Sequence, residues 1–177
     1  MAQSVAPESR VVYVDNDPMV LAHARALLAS SPEGATDYLD ADLRETEKIL
    51  GHARGLLDFS QPVAVMLVAV LHLIGPEDHP YSIVSQLMDA VPPGSYLLIS
   101  HVASDIEPEK MAEMGKRLNR LLAQKGYYRS QAEVTDFFAG LELMPPGVVP
   151  VQHWRQDSAV EGARKAAMWG GMARKNG

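Results

Sequence analysis

The sequence predicts an α/β domain built on a mostly parallel sheet. Three observations carry this. Apolar runs of strand length alternate with segments of helical spacing along most of the chain. The stretch PVAVMLVAVLHL (62–73) is nearly continuous in apolar residues, as a central parallel strand covered on both faces requires. Clusters of Pro, Gly and Asp punctuate the alternation.

Residues 10–14 are a β-branched run ending next to Asp15. Residues 18–30 then place Val20, Leu21, Ala24, Leu27 and Leu28 on one helical face. Asp17 before Pro18 reads as that helix's N-cap, with proline at the first helical position. Ser31-Pro32-Glu33-Gly34 breaks the chain, residues 36–39 are a short strand and 43–50 a short helix. After the 62–73 strand, Gly75-Pro76-Glu77-Asp78 is a loop. Residues 81–90 carry Ile83, Val84, Leu87 and Met88 on one face and stop at Pro92-Pro93-Gly94. A strand follows at 95–102, then a helix over 108–124 with Met111, Met114, Leu118, Leu121 and Leu122 inward, and a short helix at 133–139. Residues 141–143 and 148–151 flank Pro145-Pro146-Gly147. The last strand, 168–173, holds Gly170-Gly171, expected as a packing or bulge position.

Composition narrows the function classes. A chain of 177 residues is one domain's worth, taken as 1–177. With 47% apolar and 21% charged residues and no run near the roughly 20 residues of a membrane span, no membrane partner is expected. A net charge of −6 and no early basic cluster argue against nucleic acid. Zero cysteines exclude disulfides, thiolate nucleophiles and thiolate metal sites, and fit a reducing, cytoplasmic setting. The histidines show no metal-binding spacing, so no metal is expected.

In open α/β sheets ligands sit beyond the carboxyl ends of the strands. Asp15, Asp42, His72 and His101 fall there. A carboxylate at such an end can accept hydrogen bonds from both ribose hydroxyls, which makes Asp15 a nucleotide-site candidate. Asp42 could take an adenine amine while the Leu43 N–H meets a ring nitrogen. Equally, Asp42 with Glu45 three residues on has capping-box spacing. His72 and His101 are candidate general bases for an acceptor hydroxyl or amine, or else hydrogen-bonded strand-end residues.

The ordered blocks ESRVVYVDNDPMVLAHARALLAS, DYLDADLRE, QPVAVMLVAVLHLI, VPPGSYLLISHV, FFAGLELMPPGVVPVQHWR and WGGMARK resemble the S-adenosyl methyltransferase family across nearly the whole chain. The resemblance implies a Rossmann-like class I methyltransferase sheet, mostly parallel with an antiparallel C-terminal strand. It implies S-adenosylmethionine as cofactor and a small-molecule methyl acceptor. Asp15 and Asn16 would meet the ribose, Asp42 and Leu43 the adenine, and Ala69, Val70 and Leu71 would border the methionine part. The family's first strand and glycine-rich loop have no counterpart here, since no glycine precedes Gly34. The chain is therefore expected to be truncated at its N-terminus, with its 10–14 and 62–73 strands either pairing directly or meeting another copy, a homodimer being favoured.

Two other classes share the opening VDNDP. A phosphorelay receiver would use Asp15, Asp17 and Asp58, but RGLLDF is a poor buried strand and YLLISHV leads to no lysine. A nicotinamide dehydrogenase shares the ribose carboxylate but leaves DADLRE without a role.

Overall fold

The alternation of RVVYVD gives strand β1, Arg10–Asp15. The structure, a computed structural model, describes residues 2–27, 30–121, 125–154 and 166–177. The chain divides into two compact units, Met1–Gln61 and Pro62–Gly177, each with its own sheet.

In the first unit, helix α1 (Ala2–Val5) precedes β1, and helix α2 (Pro18–Leu27), strand β2 (Ala35–Asp40) and helix α3 (Thr46–Ala53) follow. β1 and β2 pair in parallel, in register from Arg10 opposite Ala35 to Asp15 opposite Asp40. Tyr13 stacks on its register partner Tyr38 with centroids 5.4 Å apart. Arg25 of α2 lies over the Tyr38 ring and donates to the Tyr38 carbonyl at 3.3 Å. His52 of α3 meets Asp37 at 2.8 Å, and Arg10 donates to the Leu56 carbonyl. Because Asp37 and Arg10 alternate with the tyrosines, the two helices take opposite faces of the ribbon.

Two expectations for this unit are corrected. Of the anticipated inner face of α2, Leu21 is buried, whereas Val20 and Leu27 are 46% and 78% exposed. Leu28 lies outside the described residues. The next helix starts at Thr46, three residues late, because 42–45 form a turn closed by the Glu45 N–H donating to the Asp42 carbonyl. The N-cap is thus Glu45, without a side-chain cap bond, and Asp42 does not cap the helix.

The second unit holds strand β3 (Ala64–Val68), helix α4 (Pro80–Asp89), strand β4 (Tyr96–Val102) and helix α5 (Pro108–Leu121). Helix α6 (Gln131–Thr135) and strands β5 (Glu142–Leu143), β6 (Val149–Pro150) and β7 (Met168–Arg174) complete it. β3 and β4 are parallel, β7 runs antiparallel to β4, and β5 and β6 share the other edge of β7. The fold is mixed α/β, with parallel pairing before an antiparallel C-terminal strand, as expected.

α4 buries Ile83, Val84, Leu87 and Met88, the four residues its spacing selects. Its C-terminal carbonyls are tied to the end of β7 by Lys175, whose Nζ donates to Met88 and Val91 at 2.8 and 2.9 Å. β4 alternates strictly, with Leu97, Ile99 and His101 fully buried.

Apolar continuity misleads for β3. Leu67 is buried, but Met66 and Val68 are 61% and 56% exposed, so one face is uncovered among the described residues. The strand stops at Val68, because Ala69 turns into the left-handed region at φ 51°. β1 and β3 belong to separate sheets, one in each unit. In α5, Met111 is buried while Met114 and Leu121 are exposed. Gly115 takes the inner position, where the Tyr128 ring lies 3.1 Å from the place a Cβ would occupy. Leu122 and Gln124 lie outside the described residues. No helix among the described residues is long and apolar enough to cross a membrane.

Gly170-Gly171 is a packing site. A Cβ on Gly171 would stand 3.0 Å from Phe138 and from Val148. Gly171→Ala is expected to cost about 1–3 kcal/mol through overpacking, read as a lower urea midpoint with an unchanged slope. An unshifted midpoint would show that the Phe138 ring yields freely.

Candidate cofactor and acceptor site

At the carboxyl end of the β1–β2 ribbon, short polar side chains fold back on the main chain. Asp15 Oδ1 accepts from the Asp17 N–H at 2.8 Å, and Asp17 Oδ1 accepts from the Met19 N–H at 2.8 Å, so Asp17 caps α2. No described residue donates to Asp15 Oδ2. Asn16 Nδ2 donates to Asp42 Oδ2 at 3.1 Å, which brings the residues following β1 and β2 together. Asp40, which the sequence reading did not single out, is the register partner of Asp15.

Asp42 is crowded. Arg44 grips it through Nε at 2.7 Å and Nη2 at 2.8 Å, and its own N–H adds a bond of 2.9 Å to Oδ1. Counting Asn16, each carboxylate oxygen has two donors, which fills its lone pairs. The Arg44 fork, above all, holds this carboxyl down to about 2. Leu43 has the opposite character: its N–H has no acceptor among the described residues.

In the second unit the carboxyl ends of β3 and β4 carry the other candidates. The Ala69 N–H donates to both the carbonyl and the hydroxyl of Ser100 at 3.0 Å, holding the left-handed residue that ends β3. A single 3-10 turn, Leu71–Leu73, follows, closed by Leu73 N–H to Val70 at 2.9 Å and Ile74 N–H to Leu71 at 3.2 Å. Ala69 is exposed, Val70 half-buried and Leu71 fully buried.

His72 sits in that turn and His101 inside β4, their rings edge-on at 6.1 Å. Arg129 Nη1 donates to His101 Nε2 at 2.8 Å. A guanidinium can only donate, so Nε2 accepts, and the proton is on Nδ1, which donates to the Val102 carbonyl at 2.8 Å. Burial first, and the nearby Arg129 charge, bring His101 down to about 4. Both its nitrogens are engaged, so the base expected at His101 has no open lone pair here, and the residue reads as structural. His72 differs: its Nδ1 is buried without a partner among the described residues, and burial and the Arg129 charge lower its pKa. It is a neutral imidazole with a nitrogen to spare.

Sequence reasoning missed Arg129 and Ser100. Arg129 reaches the site because residues 102–104 continue β4 into a bridge with it, Arg129 N–H meeting the Val102 carbonyl and Ser104 N–H meeting the Arg129 carbonyl. Ser130 then caps α6 with a full capping box to Glu133. The S-x-x-E spacing was the available signal for that helix start, but nothing in it announces a buried arginine.

The receiver arrangement is absent. Asp58 follows α3 on a turn, with no strand before it, and accepts from the Ser60 N–H and hydroxyl. Among the described residues no group of three His, Asp or Glu is placed to hold a metal.

The buried neutral imidazole of His101 makes stability pH-dependent. An unfolded histidine titrates near 6.5, whereas the folded one resists protonation down to about 4. Between those values the unfolded chain binds the extra proton, so stability falls as pH falls through this window. The effect is on the order of 3 kcal/mol at most. Urea unfolding of the wild type and His101→Gln at pH 7 and pH 4.5 is expected to show the gap between them narrowing in acid. A gap that is the same at both pH values would refute the neutral-imidazole assignment.

The S-adenosyl methyltransferase family model matches residues 1–176. Among solved structures, the chain is 42% identical to a DUF574 family protein from Streptomyces avermitilis MA-4680, with a TM-score of 0.92 over 98% of this chain and 68% of that one. It is 38% identical to a putative methyltransferase from Thermobifida fusca YX, with a TM-score of 0.85 over 99% of this chain and 66% of that one. This chain thus spans about two thirds of those relatives' length. The N-methyltransferase NodS from Bradyrhizobium japonicum WM9, solved in complex with S-adenosyl-L-homocysteine, shares the fold at 10% identity and a TM-score of 0.58, over 98% of this chain and 71% of that one. No curated protein matches. A family model covering nearly the whole chain, with two relatives above 30% identity, shows that the chain belongs to the S-adenosyl methyltransferase family.

Proposed function

We propose that residues 1–177 act as one methyltransferase domain that binds S-adenosylmethionine and serves methyl transfer to a small-molecule acceptor. The observation that carries this is the pairing, at one strand edge, of Asp15 with an unused carboxylate oxygen and Leu43 with an unused N–H. These suit a ribose hydroxyl and an adenine ring nitrogen. Asn16 supports the ribose contact by bonding across to Asp42. Asp42 suits the adenine amine only if Arg44 or Asn16 lets go of an oxygen, since all its lone pairs are taken. In the second unit, Ala69, Val70 and Leu71 border the methionine part and the acceptor, as the family resemblance implies.

When bound, the cofactor supplies a sulfonium methyl that a nucleophile displaces directly. The chain's part is alignment and exclusion of water. Leu71 is fully buried and anchors the turn, and the imidazole of the neighbouring His72 is the candidate base for the proton of an acceptor hydroxyl or amine. Its lowered pKa, from burial and then the Arg129 charge, favours the neutral ring that a base requires. Acidic balance and lack of cysteine fit a cytoplasmic enzyme without a nucleic-acid surface.

The Asp15 assignment is tested by calorimetric titration with S-adenosylhomocysteine. A charge-assisted bond is worth roughly 1.5–3 kcal/mol, so Asp15→Asn is expected to weaken binding tenfold or more. Asp17→Asn, which preserves the helix cap, is expected to bind as the wild type does. Equal affinities for all three would remove Asp15 from the site.

A homodimer is the second part of the proposal. β1 and β3 each have one paired edge among the described residues, and β3 exposes Met66 and Val68 beside its free edge. An unpaired apolar edge favours a second copy. Light scattering after size exclusion is expected to give twice the monomer mass, and the monomer mass would refute it.

A further inference from the structure

Within the second unit, the residue with the least ordinary environment is Arg129. It is 5% exposed, and no described carboxylate forms an ion pair with it. A buried charge is costly unless its donors are satisfied. Here the acceptors are neutral. Nη1 donates to the Leu71 carbonyl at 2.9 Å and to His101 Nε2 at 2.8 Å, Nη2 donates to the Ile74 carbonyl at 2.9 Å, and the guanidinium carbon lies 5.3 Å from the centroid of Phe137. The carbonyls of Leu71 and Ile74 bracket the 3-10 turn that carries Leu71 and His72. A turn with two internal hydrogen bonds has little stability of its own.

We infer that Arg129 is a positioning residue, whose planar fork bridges the Leu71 and Ile74 carbonyls and so fixes the turn that presents Leu71 and His72 to the cofactor and acceptor. The cofactor half of this rests on the function proposed above. Two neighbours strengthen the clamp. The Tyr127 N–H donates to the His72 carbonyl at 2.7 Å and the Tyr127 hydroxyl donates to Glu77 Oε1 at 2.8 Å, so the strand-like segment before Arg129 grips the same loop. His101 acts as the spacer. With its Nδ1–H on Val102, it offers Nε2 to the guanidinium and fixes the fork's lateral position. A lysine has the charge but cannot span two carbonyls and an imidazole with one ammonium in fixed geometry.

The test compares the wild type with Arg129→Lys and Arg129→Met. Hydrogen exchange by NMR reads the Leu73 and Ile74 amides, which close the turn. Imidazole 15N shifts read the His101 tautomer, and titration with S-adenosylhomocysteine reads the site. In Arg129→Lys, exchange at Leu73 and Ile74 is expected to quicken tenfold or more, with α4 and β4 amides unchanged and cofactor affinity reduced several-fold. In Arg129→Met the same amides quicken further, affinity falls tenfold or more, and the His101 titration moves up as the neighbouring charge is lost. If Arg129→Met does not fold, Arg129→Lys alone decides. Wild-type exchange at Leu73 and Ile74 in a folded variant overturns the inference. So does faster exchange with unchanged affinity, which would leave Arg129 a packing residue. Failure of the broader reading looks different: there Asp15→Asn binds as the wild type does, while the turn still loosens without Arg129.

Discussion

A guanidinium held by uncharged acceptors is the constraint around which the second unit is arranged. Satisfying Arg129 requires a loop whose carbonyls turn inward, an imidazole in one tautomer and an aromatic face, and each comes from a different segment: 71–74, β4 and the turn after α6. None can move without stranding a buried charge. The route of the chain from β3 into α4, and the docking of α6 against the end of β4, are therefore coupled through one side chain. Asp105 reinforces the docking from outside, accepting from the Gln131 N–H and from the Trp169 indole, which ties the start of α6 to β7.

The first unit solves a different problem with short-range chemistry. Carboxylates crowd the carboxyl end of its ribbon, with Asp15 in register with Asp40 and Asp42 two residues beyond β2, and like charges so placed require donors. The Asx turn at Asp15 and the arginine fork at Asp42 supply them from within three residues. The result is uneven: one carboxylate keeps an oxygen open and the other is saturated, so two aspartates that look alike in sequence differ in what they can offer a ligand.

Much of this was legible in the sequence where the cause is local. The face of α4 follows from Ile83, Val84, Leu87 and Met88, and the cap at Asp17 from its place before Pro18. The family blocks identified the fold, because order along the chain is itself sequence information. What was not legible depends on distant partners. Apolar Met66 and Val68 look buried in a string of residues, but their exposure is decided by what lies across the sheet. Met114 loses its expected place to Gly115 because Tyr128 needs the room. His101 reads as a base until a guanidinium from a segment 28 residues on occupies its nitrogen.

The strand order also governs when the second unit can form. β4 has β3 on one side, close behind in sequence, but its other edge waits for β7, which pairs Tyr96 with Arg174. Contacts between residues so far apart carry a loop-closure cost before any hydrogen bond is made, which slows folding. During synthesis, Leu97 and Ile99 therefore emerge from the ribosome well before the strand that completes their sheet. In that interval β4 has an open edge beside apolar residues destined for the core, the kind of surface chaperones recognise. The C-terminal strand thus serves as the closing element of assembly, and loss of its last few residues would leave a chain that is translated but never sealed.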